Sequence, residues 1–175
     1  MTWDTFETTL FGLDKIVFII YFVLFVLSVV IERKVSSLVI SLMVLALANG
    51  AMTALTPLLY EVASLPGLFY KFLWYGAFVL IDGITIFLLF KFHSLLKQSV
   101  GRIANCIGVI FLLMATIQTL RFVDRFVSNT DYFQALYQYG VPLLNVAMVP
   151  AILLFWLLDY KSNNKKLLAV YGLSG

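Results

Sequence analysis

Residues 35–60 read VSSLVISLMVLALANGAMTALTPLLY and carry no charged side chain, although Lys34 precedes them and Glu61 follows them. About 20 apolar residues, each rising 1.5 Å along a helix, cross a hydrocarbon core of about 30 Å. The stretch is long enough to do so. It therefore predicts a transmembrane helix, and with it the solvent in which the rest of the chain folds.

Four further stretches of the same character surround it, at about residues 16–31, 68–92, 103–125 and 132–158. The connections between them are short, and Pro66-Gly67 suits the start of the third helix. The sequence predicts an all-α, polytopic membrane helix bundle. Its single five-helix transmembrane domain covers residues 1–160, and residues 161–175 form a cytoplasmic tail. The first helix is nearly all apolar and is expected to be peripheral and to face lipid.

Composition excludes the usual soluble classes. Of the 175 residues, 62% are hydrophobic and 12% are charged, against about 25% charged residues in average proteins. A soluble domain of this size could not bury so much apolar surface. The net charge of +3 is not a nucleic-acid signal, because the basic residues fall at helix ends. The single cysteine, Cys106, offers neither a disulfide nor a CxxC redox pair.

The positive-inside rule predicts the orientation. The N-terminus, the second loop and the fourth loop together hold four basic and six acidic residues. The opposite side holds eight basic residues, namely Arg33, Lys34, Lys91, Lys97, Arg102, Lys161, Lys165 and Lys166. The N-terminus is therefore predicted outside and the C-terminus inside, in the cell (inner) membrane. Because the N-terminus lacks the basic region of a signal peptide, the first helix is expected to be retained.

Helix three carries a polar stripe. At about 100° per residue, Lys71, Tyr75, Asp82, Thr85 and His93 fall on one face, while the other faces are apolar. In lipid, such side chains must face protein or water. The stripe is predicted to face the interior of the bundle.

Three polar residues are predicted near the middle of the membrane: Asp82 on helix three, Asn49 on helix two and Asn145 on helix five. An aspartate at that depth costs about 2.5–3.5 kcal/mol on insertion scales, so it should be partnered, protonated or exposed to a water-filled cavity. A neutral carboxylic acid bonded to Asn49 or Asn145 is one solution. Gln138 shares the face of Asn145. Two interpretations remain open, a polar path for ions or solutes and a hydrogen-bond network that fixes helix register.

Helix five also contains Pro142 and Pro150, which bracket Asn145 and predict kinks. Such breaks occur in transporter sites and in purely structural membrane helices. His93, the only histidine, is either a pH-sensitive gate or an interfacial residue without a special role.

Arg121, Asp124 and Arg125 form a charge cluster at the predicted outer mouth. Such a cluster could bind an anion or the acidic surface of a partner. The alternative is an ordinary interfacial ion pair, supported by spacings of three and four residues on one helix.

No catalytic motif, metal-ligand spacing or cofactor fingerprint occurs, so the sequence predicts a protein that is not an enzyme and has no cofactor or metal. Two functions remain. The first is translocation of ions, protons or small solutes around Asp82, in a homo-oligomer because five helices are few for a pathway. The second is a non-transporting subunit, such as a sensor, assembly factor or anchor, of a larger membrane complex. Under both functions the expected partners are the lipid bilayer and either further copies of the chain or other membrane subunits. No nucleic-acid partner is expected.

Overall fold

The computed structural model describes the backbone of residues 3–170 and the side chains of residues 12–159. Five long helices account for most of this part of the chain, and no strand occurs in it. They are α1 (Trp3–Glu32), α2 (Ser37–Ser64), α3 (Leu68–Leu95), α4 (Arg102–Phe126) and α5 (Val141–Val170), with a π-helical turn (Leu136–Gly140) before α5. Each is long and apolar enough to cross a membrane. The predicted all-α bundle is confirmed, with five helices of the length and composition needed to span a membrane.

The orientation remains a prediction. Several of the charges that it counts, namely Asp4, Glu7, Lys161, Lys165 and Lys166, lie outside the described side chains. The backbone of α5 stays helical to Val170, so the predicted tail begins as a continuation of that helix. The structure therefore distinguishes two ends of the bundle without assigning them to sides of a membrane.

The helices follow one another around the bundle. Each packs against its neighbours in sequence, α5 closes the ring against α1, and α2 also contacts α4 across the middle. We call the end with the α2–α3 and α4–α5 connections the cavity end. The end with the α1–α2 and α3–α4 connections is the packed end. Because α2 and α4 each contact three other helices, about half of each span is buried, whereas only 17% of the α3 span and 11% of the α5 span is buried.

Apolar side chains fill the interior at the packed end. Leu42 and Leu45 of α2 meet Leu89 of α3 and Ile107 and Phe111 of α4, and each is at most 1% exposed. Interiors of this kind are close-packed, without voids that hold water. As far as the described side chains extend, this half of the bundle is therefore closed along its axis.

Both predicted prolines of helix five lie in helical segments, with different consequences. Pro142 is the second residue of α5, two positions after the end of the π-helical turn. A proline ring clashes with the carbonyl four residues earlier, here that of Gln138, and the wider turn lies at that position. Around Pro150 the α-helix continues without a break. A third helical proline, Pro57, lies inside α2.

Two helix ends adopt left-handed backbone conformations that make the connections short. Lys97 has φ of 50°, and Gln98 N–H then donates to the His93 carbonyl at 2.9 Å. Asn129 has φ of 51°, and Thr130 N–H donates to the Asp124 carbonyl at 2.9 Å. Both bonds satisfy carbonyl groups that a helix end leaves without partners.

Candidate functional site: a polar cavity in half of the bundle

A cavity of about 460 Å³ occupies the bundle between the cavity end and the middle of α3. All five helices contribute to its wall. Among the residues predicted from sequence, it is lined by Asn49, Tyr75, Asp82, Arg121, Gln138, Pro142 and Asn145. The remaining predicted residues, Thr85, His93, Asp124, Arg125 and Pro150, do not line it.

Asp82 forms part of the cavity floor, where it is fully buried. Its Oδ2 accepts a hydrogen bond from Gln118 Nε2 of α4 at 3.0 Å. Its Oδ1 has no hydrogen-bond partner, and neither has Gln118 Oε1. The predicted bond from Asp82 to Asn49 or Asn145 is therefore wrong. Asp82 faces the interior and lies near the middle of its helix, as predicted, but the rotation of α4 brings Gln118 to the carboxyl group instead.

The two asparagines lie in the cavity wall with other partners. Asn49 Nδ2 donates to the Leu45 carbonyl of its own helix at 3.1 Å. The buried hydroxyl of Tyr21 on α1 donates to the backbone carbonyl of Asn145 and lies 3.3 Å from its Oδ1. The Asp14 side chain, also on α1, interacts with that of Asn145. The expectation that α1 is merely peripheral therefore misses its polar contribution to this wall.

Aromatic side chains line the part of the cavity that lies nearest the cavity end. Trp74 Nε1 donates to the Tyr137 hydroxyl at 2.9 Å, which ties α3 to the π-helical turn. The Tyr75 ring lies 5.4 Å from that of Tyr137 and 5.9 Å from that of Phe122, between centroids. Lys71, at the same end, donates to the Ala63 carbonyl. These walls give the cavity apolar surfaces beside its polar groups.

The predicted charge cluster is paired within the chain. Arg121 contacts Asp124 at 3.0 Å and Asp131 at 2.9 Å, and Arg125 contacts Asp131 at 2.6 Å. Asp124 also accepts the backbone N–H groups of Tyr132 and Phe133, at 3.3 and 3.0 Å. Two carboxylates thus balance two guanidinium groups and hold the start of the fifth helical segment. This pairing favours the interpretation as an interfacial ion pair over an anion site.

His93 is buried at the packed end, away from the cavity. Its Nδ1 lies 2.7 Å from the Leu89 carbonyl, which only accepts, so Nδ1 carries the proton. Its Nε2 lies 2.8 Å from Ser37 Oγ, which in turn accepts Gly101 N–H at 2.9 Å. With a neutral ring, Nε2 accepts the serine proton and every group is satisfied. Through these bonds His93 helps to join α2, α3 and the start of α4.

Thr85, the other member of the α3 stripe outside the cavity, donates to the Ile81 carbonyl of its own helix at 2.7 Å. Back-bonding of this kind satisfies a buried hydroxyl without a partner on another helix. Thr85 is therefore explained by local structure.

Sequence reasoning missed several lining residues, among them Asp14, Trp74, Gln118 and Tyr137. For Gln118 a signal existed. It lies one helical turn before Arg121, and a buried aspartate needs a donor. For Asp14 no signal was usable, because the rest of its helix looks like a lipid-facing span.

The cavity can hold a small molecule. Ligand sites commonly measure about 300–1,000 Å³ and combine apolar walls with a few polar groups, and this cavity has both features. It reaches the cavity end and stops at Asp82 and Gln118, above the apolar packed end. The chain matches no protein-family model, no curated protein and no solved structure.

Proposed function

We propose that this chain translocates ions, protons or a small solute, with the cavity as its binding site and Asp82 as the group that couples binding to movement. One observation carries the proposal: a cavity of about 460 Å³, with polar groups from every helix, inside an otherwise apolar membrane bundle. Burying so many polar groups is costly in lipid and is typical of functional sites there.

The cavity extends from one end of the bundle only, so translocation requires the packed end to open. Asp82 lies at the boundary between the two halves, with Leu89 two turns further along the same helix. A change in the charge or hydrogen bonding of Asp82 would act on the contact between α3 and α4, which meet along their length. This placement supports a coupling role for Asp82.

A complete pathway is proposed to need more than one copy, or other membrane subunits, in the cell (inner) membrane. Five helices are few for a pathway, and α3 and α5 present large apolar faces, including Leu80, Phe87, Leu143 and Leu157, each more than 60% exposed. These faces suit lipid and neighbouring helices alike. They support an oligomer without identifying its members.

Flux measurements in liposomes test the proposal. The purified chain is reconstituted, and proton, sodium and potassium fluxes are followed after a gradient of each is imposed. We expect flux of at least one ion in the wild type and its loss in Asp82→Asn. Asp159→Asn is the matched control, because Asp159 lies at the packed end and pairs only weakly with Arg102 at 3.9 Å. No wild-type flux, or equal flux in Asp82→Asn, would contradict the proposal.

A non-transporting subunit is the second candidate. The observation in its favour is the closed packed end, since a receptor or sensor needs access to its cavity from one end only. Purification in mild detergent tests this second candidate. Recovery with stoichiometric partner subunits supports this role, whereas a monodisperse particle of this chain alone counts against it.

A further inference from the structure

The floor of the cavity contains two buried acceptor atoms without donors. Among the described side chains, Asp82 Oδ1 and Gln118 Oε1 are the two buried polar atoms that have no hydrogen-bond partner. They belong to a carboxyl and an amide already joined by the bond from Gln118 Nε2 to Asp82 Oδ2. A buried polar group left unpaired costs about 1–3 kcal/mol. Two on one pair of side chains indicate that a donor is missing.

A proton is the donor that fits this place. A carbonyl oxygen can only accept, and an ionised carboxylate can only accept. Both side chains are nearly inaccessible, at 0% exposure for Asp82 and 3% for Gln118, which leaves little room for a larger group. A proton on the carboxyl group supplies a donor to the amide oxygen without requiring space. A metal ion would need about six oxygen ligands, and two unpartnered oxygens are present.

We propose that Asp82 and Gln118 together form a proton-binding site. The proton comes from water in the cavity and binds Asp82 Oδ1. The O–H group then donates to Gln118 Oε1, while Gln118 Nε2–H continues to donate to Asp82 Oδ2. Carboxylic acid and amide form a closed pair of hydrogen bonds. Loss of the proton leaves two facing acceptors and a charge in the middle of the membrane, and so weakens the join between α3 and α4.

Among the described side chains, no cation forms an ion pair with Asp82. Lys71 donates to the Ala63 carbonyl, and Arg121 is paired with Asp124 and Asp131. Asp14 on α1 would add negative charge, and its side chain interacts with Asn145.

The phenols in the wall are Tyr60 on α2, Tyr75 on α3 and Tyr137 before α5. Asp82 Oδ2 accepts its hydrogen bond from Gln118, and Oδ1 accepts none from the described side chains. On α3 itself His93 is eleven residues away, about 16 Å along the helix, and bonds to Leu89 and Ser37.

Infrared spectroscopy of the purified full chain in lipid nanodiscs tests this site directly. A protonated carboxyl group has a C=O stretching band separate from that of a carboxylate. We expect this band in the wild type at neutral pH, its complete loss in Asp82→Asn, and its retention in Asp14→Asn. In Gln118→Leu the band should move to higher frequency, because the acid loses its hydrogen bonds to the amide.

The result does not depend on transport, so a chain that moves no ion can still show the site. Helical circular dichroism confirms that each variant folds. Asp82→Asn should fold, because its amide can pair with that of Gln118. Absence of the band in the wild type, or its loss in Asp14→Asn instead, would overturn the proposal. So would loss of the band on adding sodium chloride at constant pH, which would identify a metal cation as the occupant.

Discussion

Replacement of Ser37 by alanine tests how the packed end is held together. The Ser37 hydroxyl is the centre of a chain of hydrogen bonds that runs from Gly101 N–H through Ser37 Oγ to His93 Nε2, at 2.9 and 2.8 Å. It therefore joins the start of α2 to the end of α3 and the start of α4. Alanine removes the hydroxyl and leaves a donor and an acceptor without partners.

The size of the effect follows from the burial of the two groups. His93 is 1% exposed, so water cannot replace the serine, and an unsatisfied buried acceptor costs about 1–3 kcal/mol. Gly101 is only partly buried, so losing its acceptor costs about 0.5–1.5 kcal/mol. We expect Ser37→Ala to lower the free energy of unfolding by about 1.5–4.5 kcal/mol.

Unfolding in mixed micelles, driven by a rising fraction of sodium dodecyl sulfate and followed by circular dichroism, measures this difference. Ser41→Ala is the matched control. Ser41 lies one turn further along α2, is fully buried where Ser37 is partly buried, and donates to the Ser37 carbonyl at 2.7 Å. That carbonyl keeps its helical partner when the hydroxyl is lost, so the control should change stability little. Equal stability of the two variants would refute the role assigned to Ser37.

Two further predictions use the same unfolding measurement. The first concerns Gly101, where an added Cβ would lie 2.8 Å from Ser37 Oγ and 3.3 Å from Ser37 Cβ. Gly101→Ala should therefore lower the stability of the wild type more than that of the Ser37→Ala variant, with a coupling energy of about 0.5–3 kcal/mol. Additive effects of the two substitutions would contradict this contact. The second compares Asp124 with Arg125. Asp124→Asn should lower the free energy of unfolding clearly, because the new amide nitrogen faces backbone N–H groups that need an acceptor, whereas Arg125→Gln removes an exposed ion pair worth about 0–1 kcal/mol. A larger loss of stability in Arg125→Gln than in Asp124→Asn would contradict the proposed arrangement of the cluster.

The candidate site could be predicted only in part, as Asp82 illustrates. Its depth and its inward direction followed from hydropathy and from a turn of about 100° per residue. Its partner did not follow, because Asn49, Asn145 and Gln118 all lie on helices that approach α3. Which one meets the carboxyl group depends on the rotation, tilt and axial shift of each helix. Packing of complete helix faces sets these quantities, and a single sequence does not specify them.

Asp14 and His93 also show what the sequence could not predict: Asp14 lines the cavity without having been predicted there, and His93 was a predicted site residue but lies outside the cavity. Asp14 was left out because its helix is almost uniformly apolar, yet α1 turns it towards Asn145. His93 was included because it continues the α3 stripe, yet it lies beyond the apolar layer of the packed end. A stripe on one helix specifies a direction, and the neighbouring helices decide whether a polar residue on it reaches a cavity or a closed network.

The sequence by itself determined that this protein is a bundle of five membrane-spanning helices. Transfer of long charge-free stretches from water to lipid depends on the residues of each stretch alone. Only the tertiary structure decided that the interior is polar in one half and apolar in the other, and that Gln118 faces Asp82. Contacts between helices depend on how five surfaces fit together, and that fit places an incompletely bonded carboxyl group at the floor of the cavity.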